Sequence, residues 1–448
     1  MRSRKQVLAF ILAALMSVSA VGCSSSGKGE ASQPSQAASQ TDSSKKVTIK
    51  LFSRYGDTTA VDSAVFREAV AAFQSQNPNI TVVDESISDE TQYNNKFKTD
   101  MSANDIPTLF MTYGGGTLKS YVDDGIVEDV TPYLEANKDW YDQFDPKMFN
   151  AVKFSGKNGI YGIPNAAYAD SLYCNMKLFK EAGLSVPATI EDFEKVCDAF
   201  VKKGITPMPV GDKSNFRGGH LLGCLMVKRT GNELANNLAA RKATYKDATV
   251  TELLTLMKSW KEKGYLGTNV TTLDGEGECQ LFLTGKSPMI YRNAYFIGRI
   301  IKESKDAGDV QEIPFPYFSQ YPQYKDGWHG SSSDEFSIAK SATDDQKKAA
   351  IALLKSCIST KYINERNQKS AGGFVSVFKE TPKMDNESAL AATFHKNFSQ
   401  AKYMLTEPGE YDSNPGVREA TRKNIQAMWS GQSVQNTENA IQQIIDTE

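Results

Sequence analysis

Few side chains in this sequence are spaced for catalysis. His220, His329 and His395 are its three histidines, and no His-x-x-x-His or Glu-x-x-His spacing joins any of them, which removes the usual helical zinc arrangement. No Gly-x-Ser-x-Gly turn is present to expose a nucleophilic serine. The phosphate-binding patterns Gly-x-x-x-x-Gly-Lys-Ser/Thr and Gly-x-Gly-x-x-Gly are missing, so Gly114, Gly115 and Gly116 after "PTLFMTY" read as a tight turn or a close backbone approach at a cleft. A glycosidase needs only two carboxylates at a set spacing, and 53 acidic residues leave that reading open. The six cysteines show no Cys-x-x-Cys pair. Setting Cys23 aside leaves Cys174, Cys197, Cys224, Cys279 and Cys357, an odd number in which a disulfide stays open; Cys197, on the apolar face of "EDFEKVCDAFVKK", reads as a small core residue.

The start of the chain concerns placement. Arg2, Arg4 and Lys5 precede an apolar run over residues 7–18, and the small residues Ser19, Ala20 and Gly22 crowd around Cys23, the order of a secretion signal. The run is shorter than the roughly 20 residues that cross a bilayer. "AVGC" resembles a bacterial lipobox, with Ala20 where leucine is usual. This resemblance implies a signal over 1–22 and a mature chain anchored through acyl chains such as palmitate on Cys23. Residues 23–46, rich in serine, glutamine, alanine and glycine without an aromatic, then read as a flexible tether.

The remaining 400 or so residues exceed one small core and suit two lobes. Lys+Arg 51 against Asp+Glu 53 gives a net charge of −2, no electrostatic case for nucleic acid. "VTIKLFSRYGD" alternates as a strand and ends in a loop; "VDSAVFREAVAAFQSQNPN" carries a helical apolar face ending at Asn77-Pro78; "ITVVDE" is a second strand. Together they form a right-handed βαβ unit opening a largely parallel sheet. In such sheets ligands sit beyond the carboxyl ends of the strands, which places Tyr55 and Tyr113 on one rim. Thr189 reads as the N-cap of the next clear helix. Trp140 and Trp260 read as packing residues on helices.

The order of segments "AFQSQNPNITV", "GIVEDVTPYL", "GKNGIYGIPNAAYADSLYCNMKLFKEAGL", "PATIEDFEKV", "FLTGKSPMIYRNAYF", "FSIAKSATDDQKKAAIALLKSCIS", "AGGFVSV" and "TRKNIQAMWSGQSVQNTENAIQQI" resembles the carbohydrate-binding extracellular solute-binding proteins of ATP-driven importers, the group of maltose-binding protein. Thr108, Ile190 and Tyr295 depart from the family's usual Asp, Trp and Trp. The resemblance implies an α/β, periplasmic-binding-protein-like fold of two lobes with a cleft between them. It places three crossings near 165–171, 326–331 and 358–361, so that 47–167 with about 330–358 make the first lobe and about 168–329 with 359–448 the second.

A sugar offers apolar C–H faces and a rim of hydroxyls, which a site meets with flat aromatics, carboxylates, amides and arginines. The candidates are Tyr55, Asp57 and Tyr113 on the first rim; Asn165, Tyr168 and Asp170 at the first crossing; Arg292, Asn293 and Tyr295 after "SPMI"; Trp328, His329 and Asp334 at the second crossing, followed by Glu335; and Phe374 behind Gly372 and Gly373. The function implied is a lipid-anchored, monomeric receptor on the outer face of the cell membrane. It would capture a carbohydrate, an oligosaccharide, and pass it to the permease of an ABC importer by hinge closure, with no cofactor and no metal. A polyamine or iron-chelate receptor of the same fold, or a secreted glycosidase, is the alternative.

Overall fold

The computed structural model describes residues 45–154, 156–380 and 382–447. The expected signal, Cys23 and nearly all of the tether lie outside the described residues. The described strands make two sheets, one in each lobe.

In the first, β1 (Val47–Phe52) buries Val47, Ile49 and Leu51 while Thr48 faces out, the alternation of a strand covered on one side. β2 (Ile80–Asp84) pairs with it in parallel from Val47↔Ile80 to Leu51↔Asp84, and β3 (Leu109–Thr112) pairs in parallel on its other edge. The helix Val61–Gln76 connects β1 to β2 and buries Val65, Phe66, Val70 and Phe73. It stops where Asn77 caps its end through a 2.8 Å bond from Nδ2 to the Phe73 carbonyl, just before Pro78.

The second sheet is built on β4 (Ala166–Asn175). β4 pairs antiparallel with β5 (Met289–Asn293), with β6 (Val310–Ile313) and, through its first residues, with β7 (Gly327–Ser333); β9 (Tyr403–Leu405) lies parallel to β7. Both faces of β4 are covered, and its side chains alternate between two cores. Leu172 and Cys174 join the core of the helices Ile190–Lys202, Arg217–Thr230, Ala248–Glu262 and Pro415–Trp429, whereas Ala169 and Tyr173 join the core shared with the first sheet and the helices Gly275–Leu283, Phe296–Glu303 and Ala389–Phe398. Thr189 caps its helix by accepting from Asp192 N, and Cys197, Trp140 and Trp260 are buried as expected. The five cysteines among the described residues are free and buried.

β7 belongs to the second sheet and β8 (Glu335–Ile338) to the first, where it runs antiparallel to β3. The chain therefore changes sheet at Asp334, beyond the expected 326–331. Asp334 has φ 55°, a left-handed conformation that aspartate tolerates and that lets two strands meet at an angle. The helix Thr360–Lys369, expected in the second lobe, packs on the Val61–Gln76 helix of the first; Arg366 Nε donates to Asp62 at 2.7 Å and Lys369 pairs with Glu68 at 3.1 Å.

Candidate ligand-binding cleft

Between the lobes lies a cavity of about 470 Å³. The first lobe supplies Glu90, Tyr113, Gly115 and Ala151; the second supplies Tyr168, Phe216, His220, Asn293, residues 331–333, Thr406, Glu407, Glu410, Tyr411, Arg418 and Arg422. Of the candidates expected from sequence, Tyr113, Tyr168 and Asn293 line it.

Tyr113 follows β3 and is 38% exposed; Arg54 Nη1 donates to its hydroxyl at 2.6 Å. Tyr168 leaves β4 towards the cavity and shares a 2.6 Å hydrogen bond with the Thr406 hydroxyl. Its ring lies nearly parallel to the His220 imidazole, centroids 6.2 Å apart, and His220 meets Phe216 edge-on at 5.2 Å. Tyr168, His220 and Phe216 thus form one aromatic wall.

Behind that wall His329 Nδ1 stands 3.0 Å from an Asp170 carboxylate oxygen, and His220 Nδ1 lies 3.6 Å from the same oxygen. Burial alone would raise the Asp170 carboxyl, but the two imidazoles beside it hold it well below the usual carboxylate range. Burial lowers His220 to about 3, against the pull of Asp170, so its ring is neutral at physiological pH. The three ligand atoms lie within 4.8 Å of one another, close enough to suggest a cation site. Arg217, 3% exposed, places its guanidinium 3.8 Å from Asp170 and 3.1 Å from Glu278, and that fixed positive charge opposes a second cation. The group is a hydrogen-bonded support for the wall.

Next to this wall the cavity is charged, for Thr406 holds the Tyr168 hydroxyl and Glu407 packs on Gly219, the neighbour of His220. Arg422 Nε donates to both Glu407 oxygens at 2.9 Å, and Arg418 Nη1 reaches the two Glu410 oxygens at 3.0 and 2.9 Å. Glycine makes this segment possible. A Cβ at Gly219 would sit 2.1 Å from a Glu407 carboxylate oxygen, and one at Gly223 would sit 2.5 Å from the Thr406 carbonyl. Where the lobes meet, a Cβ at Gly115 would come within 2.5 Å of the Glu410 carbonyl and one at Gly116 within 1.6 Å of the Asp412 carbonyl. Residues 114–116 therefore serve a close backbone approach, as their type suggested.

The other candidates lie elsewhere. Tyr55, Asn165 and Asp334 form a buried knot at the crossings: the Tyr55 hydroxyl donates to Asp334 at 2.8 Å and accepts from Asn165 Nδ2 at 2.7 Å and Arg366 Nη2 at 3.1 Å. Phe374, fully buried, lies under the Arg366 guanidinium at 4.5 Å. Tyr295 precedes the Phe296–Glu303 helix, with Gly373 packed close on its backbone. Arg292 donates to the Gly275 carbonyl at 3.0 Å and fixes the start of a helix. Asp57 is exposed and closes a turn by accepting from Thr59 N at 2.8 Å. Trp328 is 3% exposed and meets Phe394 and Phe398 edge-on, so it belongs to the core rather than to the cavity. Asp170 and His329 support the wall without lining the cavity, and Glu335 is buried behind Ser332, whose hydroxyl donates to it at 2.6 Å.

Sequence reading missed Phe216, His220 and the run from Thr406 to Arg422. "TEPGEY" and "REATR" carried a usable signal: two acids around Pro-Gly, then two arginines on successive turns of a helix.

Known proteins share this fold. Residues 56–363 match the family described as bacterial extracellular solute-binding protein. The melibiose/raffinose/stachyose-binding protein MelE of Bacillus subtilis is 29% identical over 184 residues, which is 40% of this chain and 40% of MelE. A solved chitin oligosaccharide binding protein superposes with a TM-score of 0.77 at 23% identity, over 90% of this chain and 98% of the other. RafE in complex with raffinose superposes with a TM-score of 0.66 at 19% identity, over 90% and 99%. With two α/β lobes, a cleft between them and a family match over more than half its length, the chain belongs to the bacterial extracellular solute-binding proteins.

Proposed function

We propose that this protein captures an oligosaccharide in the cleft and hands it to the permease of an ABC importer, while Cys23 anchors it to the outer face of the membrane. One observation carries the ligand class: an inter-lobe cavity of about 470 Å³ lined by the aromatic wall of Tyr168, His220 and Phe216 and, beside it, by paired carboxylates and guanidiniums. Rings take the apolar face of a sugar, while Asn293, the serines 331–333 and the Glu–Arg pairs meet its hydroxyls. The charges nearly cancel, since Glu407 pairs with Arg422, Glu410 with Arg418, and Glu90 lies 3.4 Å from Arg54. A cleft so balanced favours a neutral polyol over a polyamine. MelE and RafE, whose names concern raffinose-type sugars, support the same class.

Ligand would act by differential affinity. It touches both lobes only when they are together, so it shifts the population toward the closed form that the permease receives. The glycosidase reading loses ground because Glu407 and Glu410 are each held by an arginine. A thermal-shift screen tests the proposal: oligosaccharides are expected to raise the unfolding midpoint and to be recovered uncut. A shift with a polyamine and none with any sugar would overturn it, and cleaved sugar would restore the enzyme.

A further inference from the structure

We infer that the ligand is longer than the central cavity encloses, and that its free end leaves along a track over the helix Glu233–Ala239. This rests on the oligosaccharide reading above. Three cavities lie in series. The central one shares Gly115, Ala151 and Tyr411 as walls with a second of about 560 Å³, and the second shares Asn237 and Lys242 with a third of about 410 Å³.

The chemistry along the series suits a saccharide chain. At the first junction Tyr411 offers a ring. The second cavity carries the amides of Asn150, Asn232, Asn236 and Asn237 together with the ammonium donors of Lys119, Lys153 and Lys242 and no carboxylate, and the buried Oδ1 of Asn232 has no hydrogen-bond partner among the described residues. A side-chain amide both donates and accepts, which is what a sugar hydroxyl requires. The third cavity presents Tyr321 and Tyr324, with the Arg229 guanidinium 3.7 Å from the Tyr321 ring centroid, so that ring is braced as a flat platform. Rings beside hydrogen-bonding side chains thus continue outside the central cavity. Gly115 abuts the Glu410 carbonyl at the first junction, so the chain is laid in with the lobes apart and held when they meet.

Titration calorimetry of the protein with chitooligosaccharides and raffinose-series sugars of increasing length tests this. In the series that binds, the longest sugar is expected to bind at least about tenfold more tightly than the trisaccharide, the return of roughly one or two added hydrogen bonds. Asn237→Ala and Tyr324→Ala should each erase that advantage while leaving the trisaccharide Kd unchanged. Equal Kd values for short and long sugars would overturn the track and leave sugar capture standing. Loss of trisaccharide affinity in either variant would also overturn it, because the residue would then act on the central cavity or the fold. Absence of binding by every sugar would remove both readings.

Discussion

The proposed closure of the lobes brings Gly116 against the Asp412 carbonyl, and replacing it with alanine tests that mechanism at one atom. The new Cβ would lie 1.6 Å from the Asp412 carbonyl oxygen and 2.6 Å from its carbon, where ordinary contacts start near 3.4 Å. Both obstructing atoms are backbone, so the lobes must stay about 2 Å further apart here or the Glu410–Asp412 segment must move. Within its own lobe the substitution is favourable: Gly116 is in the first turn of the helix Gly115–Asp123 without a positive φ, and alanine gains about 1 kcal/mol over glycine in a helix. The lobe therefore folds, and the cost of about 1–3 kcal/mol typical of overpacking falls on the closed state alone. Sugar Kd should rise roughly 5- to 150-fold, with a larger radius of gyration in the presence of ligand by small-angle scattering. Gly308→Ala is the control, since a Cβ there meets nothing within 4 Å. Unchanged affinity and unchanged compaction for Gly116→Ala would refute the role of this approach in closure.

Trp328→Ala should destabilise the protein by about 3–5 kcal/mol, the cost of emptying a buried aromatic site, as read by denaturant unfolding, with sugar Kd unchanged in the folded fraction. Arg366→Leu should cost about 3–5 kcal/mol by leaving Asp62 and Asp334 without their buried partner; a loss below about 1 kcal/mol would show that the crossings hold without it. Glu335 sets a pH dependence. Burial raises its carboxyl to about 8, above the roughly 4.3 of a free glutamate, so the fold prefers it protonated. That contribution is complete below pH ~4 and is lost as pH rises towards about 8, with about 1.4 kcal/mol at stake per unit of difference. The unfolding midpoint should therefore fall between pH 5 and pH 9, and Glu335→Gln should flatten that fall. Glu312, raised by burial to about 7, leaves a residual slope.

Local regularity was legible in sequence, and long-range pairing was not. β1, the Val61–Gln76 helix and β2 follow from period-two and period-3.6 spacing, which backbone geometry imposes within a few residues. Thr189 and Cys197 were readable for the same reason. Trp328 was misplaced because its position beside a crossing says nothing of which way it faces; Phe394 and Phe398, from a later helix, take its ring. The Tyr55, Asn165 and Asp334 candidates do come together, but as a knot centred on Arg366, whose position on a later helix no local pattern indicated. Similarly, Glu407 and Glu410 become cleft residues only because Gly219 and Gly223 let their segment approach another helix.

The central claim, capture of a sugar against the Tyr168–His220–Phe216 wall, is met most directly by calorimetric titration of wild type and Tyr168→Ala with the oligosaccharide that most raises the unfolding midpoint. One sugar per chain should bind the wild type, and the variant should keep its fold while its Kd rises at least about fivefold, as befits the loss of a stacking ring worth about 1 kcal/mol or more. An equal Kd for both proteins would contradict the account.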